Sequence, residues 1–195
     1  MYLVIAEKPS VSRAIARVIG AENREEGFLS GKDCIVSWCL GHLAEYLPPD
    51  GYDKKYESWK YEDLPIIPDE WKLAVSQEKK EQFYTLKRLL NSPDVEYVVN
   101  ACDAGREGEL IFRRVYQLSG SRKPVKRLWI SSMEDSAIRA GMEQLKEAEE
   151  YRNLAEAAVC RAKADWLVGM NATRAFTTKY YKKLTVGRVQ TPPLA

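Results

Sequence analysis

Apolar residues along the chain follow two rhythms, short β-branched runs and helical spacings, and charge collects where one gives way to the other. Leu3, Val4 and Ile5 predict a short buried strand, broken at Ala6-Glu7-Lys8-Pro9-Ser10. Val11, Ile15, Val18 and Ile19 then recur at helical spacing until Gly20, and Pro9 suits the first turn of that helix. Cys34 to Leu40 predicts a second strand, followed by Gly41-His42-Leu43. From Leu47 to Trp71 the chain is rich in proline, tyrosine and tryptophan, which predicts an insertion wrapped on the surface with most of its rings packed down. Glu78 to Leu90 reads as an amphipathic helix with Phe83, Leu86, Leu89 and Leu90 on its apolar side, stopped by Asn91-Ser92-Pro93. Val95, Tyr97, Val98 and Val99 predict a strand, residues 107 to 118 a helix, and Val125 to Ile130 a further strand. Ser131 or Ser132 caps a helix whose Ile138, Met142 and Leu145 face inward. A long helix follows from about Ala148.

Strands that alternate with helices in this way predict an α/β fold with a mostly parallel sheet covered on both faces. The expected organisation is an α/β domain over residues 1–147 and a helical segment over 148–195.

Charge changes the picture through its distribution. The net charge is only +2, but residues 160 to 190 carry seven basic side chains against Asp165 alone, while the rest of the chain has 23 basic and 27 acidic residues. An anionic partner therefore belongs at the C-terminal third and a cation elsewhere. Arg161 and Asp165 lie four apart on the long helix, a pair worth only a few tenths of a kcal/mol when exposed, so Arg161 reads as a phosphate contact. Arg174, Tyr180-Tyr181, Lys182-Lys183 and the run Gly187-Arg188-Val189-Gln190-Thr191 mix cations, rings and small hydrogen-bonding groups, the composition of a single-strand groove. The four cysteines lack CxxC spacing and read as buried thiols. No apolar stretch is long enough to span a bilayer, and the N-terminus carries no secretory pattern, so a cytoplasmic protein is expected.

The stretch Val95 to Arg113 holds the densest candidate chemistry. A buried strand runs into Asp103 and Glu107, with Arg106 between them and Gly105 and Gly108 read as turn residues. Carboxylates at the carboxyl edge of a parallel sheet sit where open α/β folds bind ligands. Glu7 stands at a second strand-to-helix junction, and if the two strands are parallel neighbours it meets Asp103 and Glu107. Crowded carboxylates repel one another, and Mg²⁺ suits a site with few protein ligands. The alternative is a solvated turn with its acids at a helix start. Lys8 supplies a point charge for phosphate. His42, the only histidine, reads as a packed or backbone-bonded residue.

The pairing of IAEKPS (Ile5 to Ser10) with CDAGREGEL (Cys102 to Leu110) resembles the Toprim domain. GHL (Gly41 to Leu43), RAKADWLVGMNATRA (Arg161 to Ala175) and VGRVQTP (Val186 to Pro192) resemble type IA DNA topoisomerases of the topoisomerase III branch. The resemblance implies breakage and rejoining of single DNA strands, with Glu7, Asp103 and Glu107 on the family's acidic metal positions and Lys8 and Arg106 on phosphate. It also implies a strand-binding role for Trp59, Arg161 and Gly187 to Thr191. The family's second aspartate is replaced by Gly105, so weaker or single-metal binding is expected, with Glu107 or Glu109 compensating. The nucleophilic tyrosine domain is expected beyond Ala195, and neither Tyr180 nor Tyr181 is assigned that role. A monomer is the expected oligomeric state. A free-standing Toprim nuclease, a primase-like protein and a receiver-like regulatory module stay open as alternatives.

Overall fold

The computed structural model describes residues 1–187 and 191. The N-terminal β1 (Tyr2–Ala6) and helix α1 (Pro9–Ile19) form as the apolar spacing requires, and Gly20, at φ 79°, closes the helix with its N–H on the Ala16 carbonyl. There follow β2 (Asn23–Glu25), β3 (Phe28–Ser30), β4 (Cys34–Trp38), β5 (Ala44–Tyr46), the one-turn α2 (Pro49–Tyr52), β6 (Leu73–Val75) and α3 (Lys80–Leu90). The chain continues through β7 (Tyr97–Ala101), α4 (Arg106–Ser119), β8 (Val125–Arg127), α5 (Asp135–Glu143), β9 (Lys146–Glu147) and the long α6 (Arg152–Tyr180).

Among the described residues, seven strands form one sheet in the order β2-β3-β4-β1-β7-β8-β9. The central four are parallel, and the antiparallel strands β2, β3 and β9 close its flanks. On one face, Leu3, Ile5 and Val98 pack with Phe83, Leu86 and Leu90 of α3 and Ile111, Phe112 and Val115 of α4. On the other, Val4, Val36 and Val99 pack with Ile15 of α1 and Ile138 of α5. The alternating in-and-out positions of each strand thus both meet helices, which is why the strands read as unbroken apolar runs.

Three differences from the sequence expectation have local causes. The strand expected at Val95 forms at Tyr97–Ala101, because Val95 N–H is turned back onto the Ser92 carbonyl. Strands β2, β3, β5, β6 and β9 are two or three residues long, too short to show a periodicity. Residues 148–151 form a 3-10 turn ahead of α6, held by a reciprocal cap between Glu147 and Glu150.

The chain divides into two compact units, Met1–Glu45 with Val75–Ala158 and Tyr46–Ala74 with Val159–Ala195. Residues 46–74, read from sequence as an insertion on the α/β domain, therefore belong with the C-terminal segment. Within that second unit, the Trp166 indole donates to the Leu47 carbonyl (3.0 Å), and the Asn171 amide exchanges hydrogen bonds with the Ile66 backbone (2.6 and 2.9 Å). Tyr46, Tyr52, Trp71 and Trp166 form edge-to-face contacts at 4.8 to 5.9 Å, as expected of a segment whose rings pack down.

Gly108, in the first turn of α4, lies against the backbone of Asp103, and a Cβ there would overlap the Asp103 carbonyl oxygen. Gly105 is extended, at φ 172°, with open space around it. The two glycines read as turn residues therefore differ: Gly108 serves a close approach, and neither has a left-handed backbone. We expect Gly108→Ala to cost about 2 kcal/mol or more and Gly105→Ala to change stability little, as measured by denaturant unfolding of the two variants.

Candidate functional site

The parallel pairing of β1 with β7 matches Ala6 to Ala101, so Glu7 and Asp103 emerge at the same edge of the sheet. The side chain of Lys8 lies between them, its Nζ 3.4 Å from Glu7 Oε1 and 3.6 Å from Asp103 Oδ2. Its pKa is raised, first by the charge of Asp103 and then by that of Glu7. Glu7 is buried to 8% exposure, and its Oε2 has no hydrogen-bond partner among the described residues. A carboxyl oxygen buried without a donor is a group that a cation could satisfy.

After β4 the chain bends back onto the tip of β1. Cys39 N–H donates to the Ala6 carbonyl (2.8 Å) and Gly41 N–H to the Glu7 carbonyl (3.3 Å), and Gly41 takes φ 67°. This carries His42 to the edge, where its Nε2 lies 3.3 Å from Glu107 Oε2. His42 Nδ1 is buried with no hydrogen-bond partner among the described residues. The sequence reads this imidazole as a packed or backbone-bonded residue, and the contact with Glu107 joins residues 65 positions apart. Arg106, the first residue of α4, is exposed at the same helix start.

The tip of β7 is held from below by a buried ion network. Arg127 and Glu109 are each 1% exposed, with Arg127 Nε 2.7 Å from Glu109 Oε1 as an ion contact off the N–H axis. The Arg127 guanidinium donates to the carbonyls of Asn100 (2.9 Å), Cys102 (2.7 Å), Leu128 (2.8 Å) and Asp103 (2.8 Å). Asn100 donates to Glu109 Oε1 (3.0 Å), and Arg113 Nε to Glu109 Oε2 (3.1 Å). Burial lowers the Arg127 pKa, and the charge of Glu109 opposes that shift. Glu109 thus has its oxygens engaged inside the domain, which removes it as the substitute metal ligand expected from sequence. Nothing in the linear pattern marks Arg127, the last residue of a three-residue strand.

Among the described residues, no group of three His, Cys, Asp or Glu side chains converges as a metal-ligating cluster. The expected triad of Glu7, Asp103 and Glu107 is present instead as a Glu7–Lys8–Asp103 row and a separate His42–Glu107 contact. Two carboxylates, one with an unpartnered buried oxygen, are a fitting donor set for Mg²⁺, which keeps several waters and commonly takes one or two carboxylates.

In the second unit, Arg174 is 5% exposed and donates to the Tyr56 carbonyl (2.6 Å), and its guanidinium stands 4.9 Å from the centroid of Trp59. Burial lowers its pKa. Arg174 therefore props the exposed Trp59 ring, where the sequence had suggested a cation open to phosphate. Trp59, Met170, Thr173, Arg174 and Val186 line a cavity of about 390 Å³. Arg161 Nε lies 3.7 Å from Asp165 Oδ2, so the i, i+4 pair does form. Gly187 and Thr191 bond each other at 3.0 Å through backbone and hydroxyl, while Arg188, Val189 and Gln190 lie outside the described residues. Of the cysteines, Cys34, Cys39 and Cys102 are buried as expected, but Cys160 is exposed.

A mostly parallel α/β sheet whose carboxyl edge carries an acid from each of two adjacent strands, with a lysine between them, has its candidate ligand site at that edge. The Toprim domain family matches residues 2–133, and a bacterial DNA topoisomerase family matches residues 149–195. The chain belongs to the Toprim family. It is 51% identical over 193 residues to DNA topoisomerase 3 of Bacillus subtilis and 48% identical over 192 residues to that of Staphylococcus epidermidis, 99% and 98% of this chain. It spans only 26% and 27% of those proteins, and is homologous to their N-terminal part. A solved structure, full-length topoisomerase I of Thermotoga maritima, shares the fold with a TM-score of 0.66 at 20% identity, over 96% of this chain and 28% of that one. Toprim domains of topoisomerases generally bind Mg²⁺. Among the described residues, no helix is long and apolar enough to cross a membrane.

Removing one member of the buried Arg127–Glu109 pair strands the other charge, and we expect Arg127→Met to lose about 3 to 5 kcal/mol. The double variant Arg127→Met with Glu109→Leu is expected to recover a large part of that loss in urea unfolding.

Proposed function

We propose that this chain is the metal-site and strand-binding portion of a type IA DNA topoisomerase of the topoisomerase III kind, which breaks and rejoins single DNA strands to relax or decatenate DNA. The observation that carries the reading is the row Glu7–Lys8–Asp103 at the sheet edge, with Glu7 Oε2 buried and without a donor. In this reading Glu7 and Asp103 hold Mg²⁺, and Glu107 is drawn on from its contact with His42. When bound, the ion neutralises the carboxylates and steadies the phosphate region and 3′ hydroxyl for rejoining.

The chain's own residues do the rest. Lys8, exposed at the acidic row, offers its ammonium group to a phosphate oxygen as a point charge. Arg106 supplies a second phosphate contact from the start of α4. Arg161 and residues 187 to 191 bind the strand backbone, and Trp59, braced by Arg174, offers a ring to a base. Transesterification needs a nucleophile, which this reading assigns to the part of the relatives that lies outside these 195 residues. DNA makes the cytoplasmic nucleoid the place of action.

Calorimetric titration with Mg²⁺ tests the metal half. Glu7→Gln and Asp103→Asn are expected to weaken binding by about ten-fold or more, and Gly105→Asp, in open space, to strengthen it. Titration with a single-stranded oligonucleotide tests the other half. Arg161→Ala and Arg188→Ala are expected to lower affinity and flatten its salt dependence, with Mg²⁺ binding unchanged. Two variant groups that behave alike would overturn the division of roles, and strand hydrolysis by this chain with Mg²⁺ would point to a nuclease.

A further inference from the structure

Beside the acidic edge stands an aromatic pair that the reading above leaves unused. Strand β8 runs parallel to β7 with Val98 opposite Val125 and Asn100 opposite Arg127, and Leu128 N–H still bonds the Asn100 carbonyl. Continuing that register by two residues sets Trp129 alongside Cys102, the residue before Asp103. Trp129 is 40% exposed. Its ring stacks on Tyr151 with centroids 4.7 Å apart and an interplanar angle of 21°.

The Arg127 guanidinium lies 5.0 Å from the Trp129 ring and 6.0 Å from that of Tyr151. Were the indole sandwiched between the two, they would stand nearly twice as far from each other as either stands from the indole. They are much closer than that, so Arg127 does not stand squarely across the indole from Tyr151, and 40% of the residue stays exposed. A ring already clamped by a stack and a buried cation loses little rotational freedom when something settles on its free face. Such a face, flat, rigid and apolar, is what a base requires.

We propose that the free face of Trp129 stacks an unpaired nucleobase of a DNA strand whose backbone passes Asp103 along the sheet edge. This rests on the nucleic-acid reading of that edge and adds a base contact within the α/β unit. The occupant follows from continuity: the phosphate-directed groups Lys8 and Arg106 flank the same edge, and a strand whose phosphates they hold turns its bases outward onto neighbouring surface.

The test compares a thymidine oligonucleotide with an abasic oligonucleotide of equal length, by fluorescence anisotropy on this chain. Trp129→Ala is expected to weaken the thymidine strand by about ten-fold, as loss of one stacked base implies. It should leave the abasic strand and the salt dependence unchanged, and Trp129→Phe should keep most of the affinity. Circular dichroism verifies folding. Should Trp129→Ala unfold, the wild-type chain grown with 5-fluorotryptophan answers instead. Its Trp129 fluorine resonance, assigned with Trp129→Phe, is expected to shift with the thymidine strand and stay in place with the abasic one. Equal losses on both strands, or no loss and an unmoved resonance, would overturn the stacking proposal alone. A wild-type chain that binds neither strand would overturn the nucleic-acid reading together with it.

Discussion

The buried guanidinium of Arg127 is the constraint on which the edge of this sheet depends. Four carbonyls at the ends of β7 and β8 accept its N–H groups, and Glu109 supplies its countercharge. Backbone carbonyls beyond the last paired residue of a strand would ordinarily be left to water. Here they are bound from within, so the segment that carries Asp103 leaves the sheet in a fixed direction. A buried ion pair of this kind adds little net stability against an apolar substitute. What it does here is tie the Cys102 and Asp103 carbonyls, at the start of the loop between β7 and α4, to the interior.

The exposed charges above follow a different rule. Lys8 stands between Glu7 and Asp103 as an internal counter-ion, which relieves the repulsion that would otherwise splay the two acids. Glu109 and Glu107 show the contrast within one helix turn: the first is engaged by Arg127, Arg113 and Asn100, the second by an imidazole at the surface. Two acids of the same type, two positions apart, thus end one inside the domain and the other at the sheet edge.

The second unit uses the same economy of parts. Arg174 is buried against the Tyr56 carbonyl and the Trp59 ring, so a residue whose charge suggested nucleic-acid contact acts by holding an aromatic group. Arg127 stands in the same relation to Trp129. In both places a buried arginine stands against a partly exposed indole.

The parallel core was legible in the linear pattern. Runs such as Leu3-Val4-Ile5 and Val98-Val99, buried on both faces, must be strands between helices, and that alternation leaves few topologies. The meeting of Glu7 with Asp103 follows from the same rule once β1 and β7 are neighbours. Tertiary structure alone decided which carboxylate faces inward, since Glu107 and Glu109 look equivalent along the chain and differ only in the side of α4 that meets Arg127. It alone brought His42 to Glu107, and joined residues 46–74 to α6 through the bonds of Trp166, Asn171 and Arg174. Those contacts depend on where distant backbone carbonyls come to rest, and a sequence states the order of its donors and acceptors without stating which of them will meet.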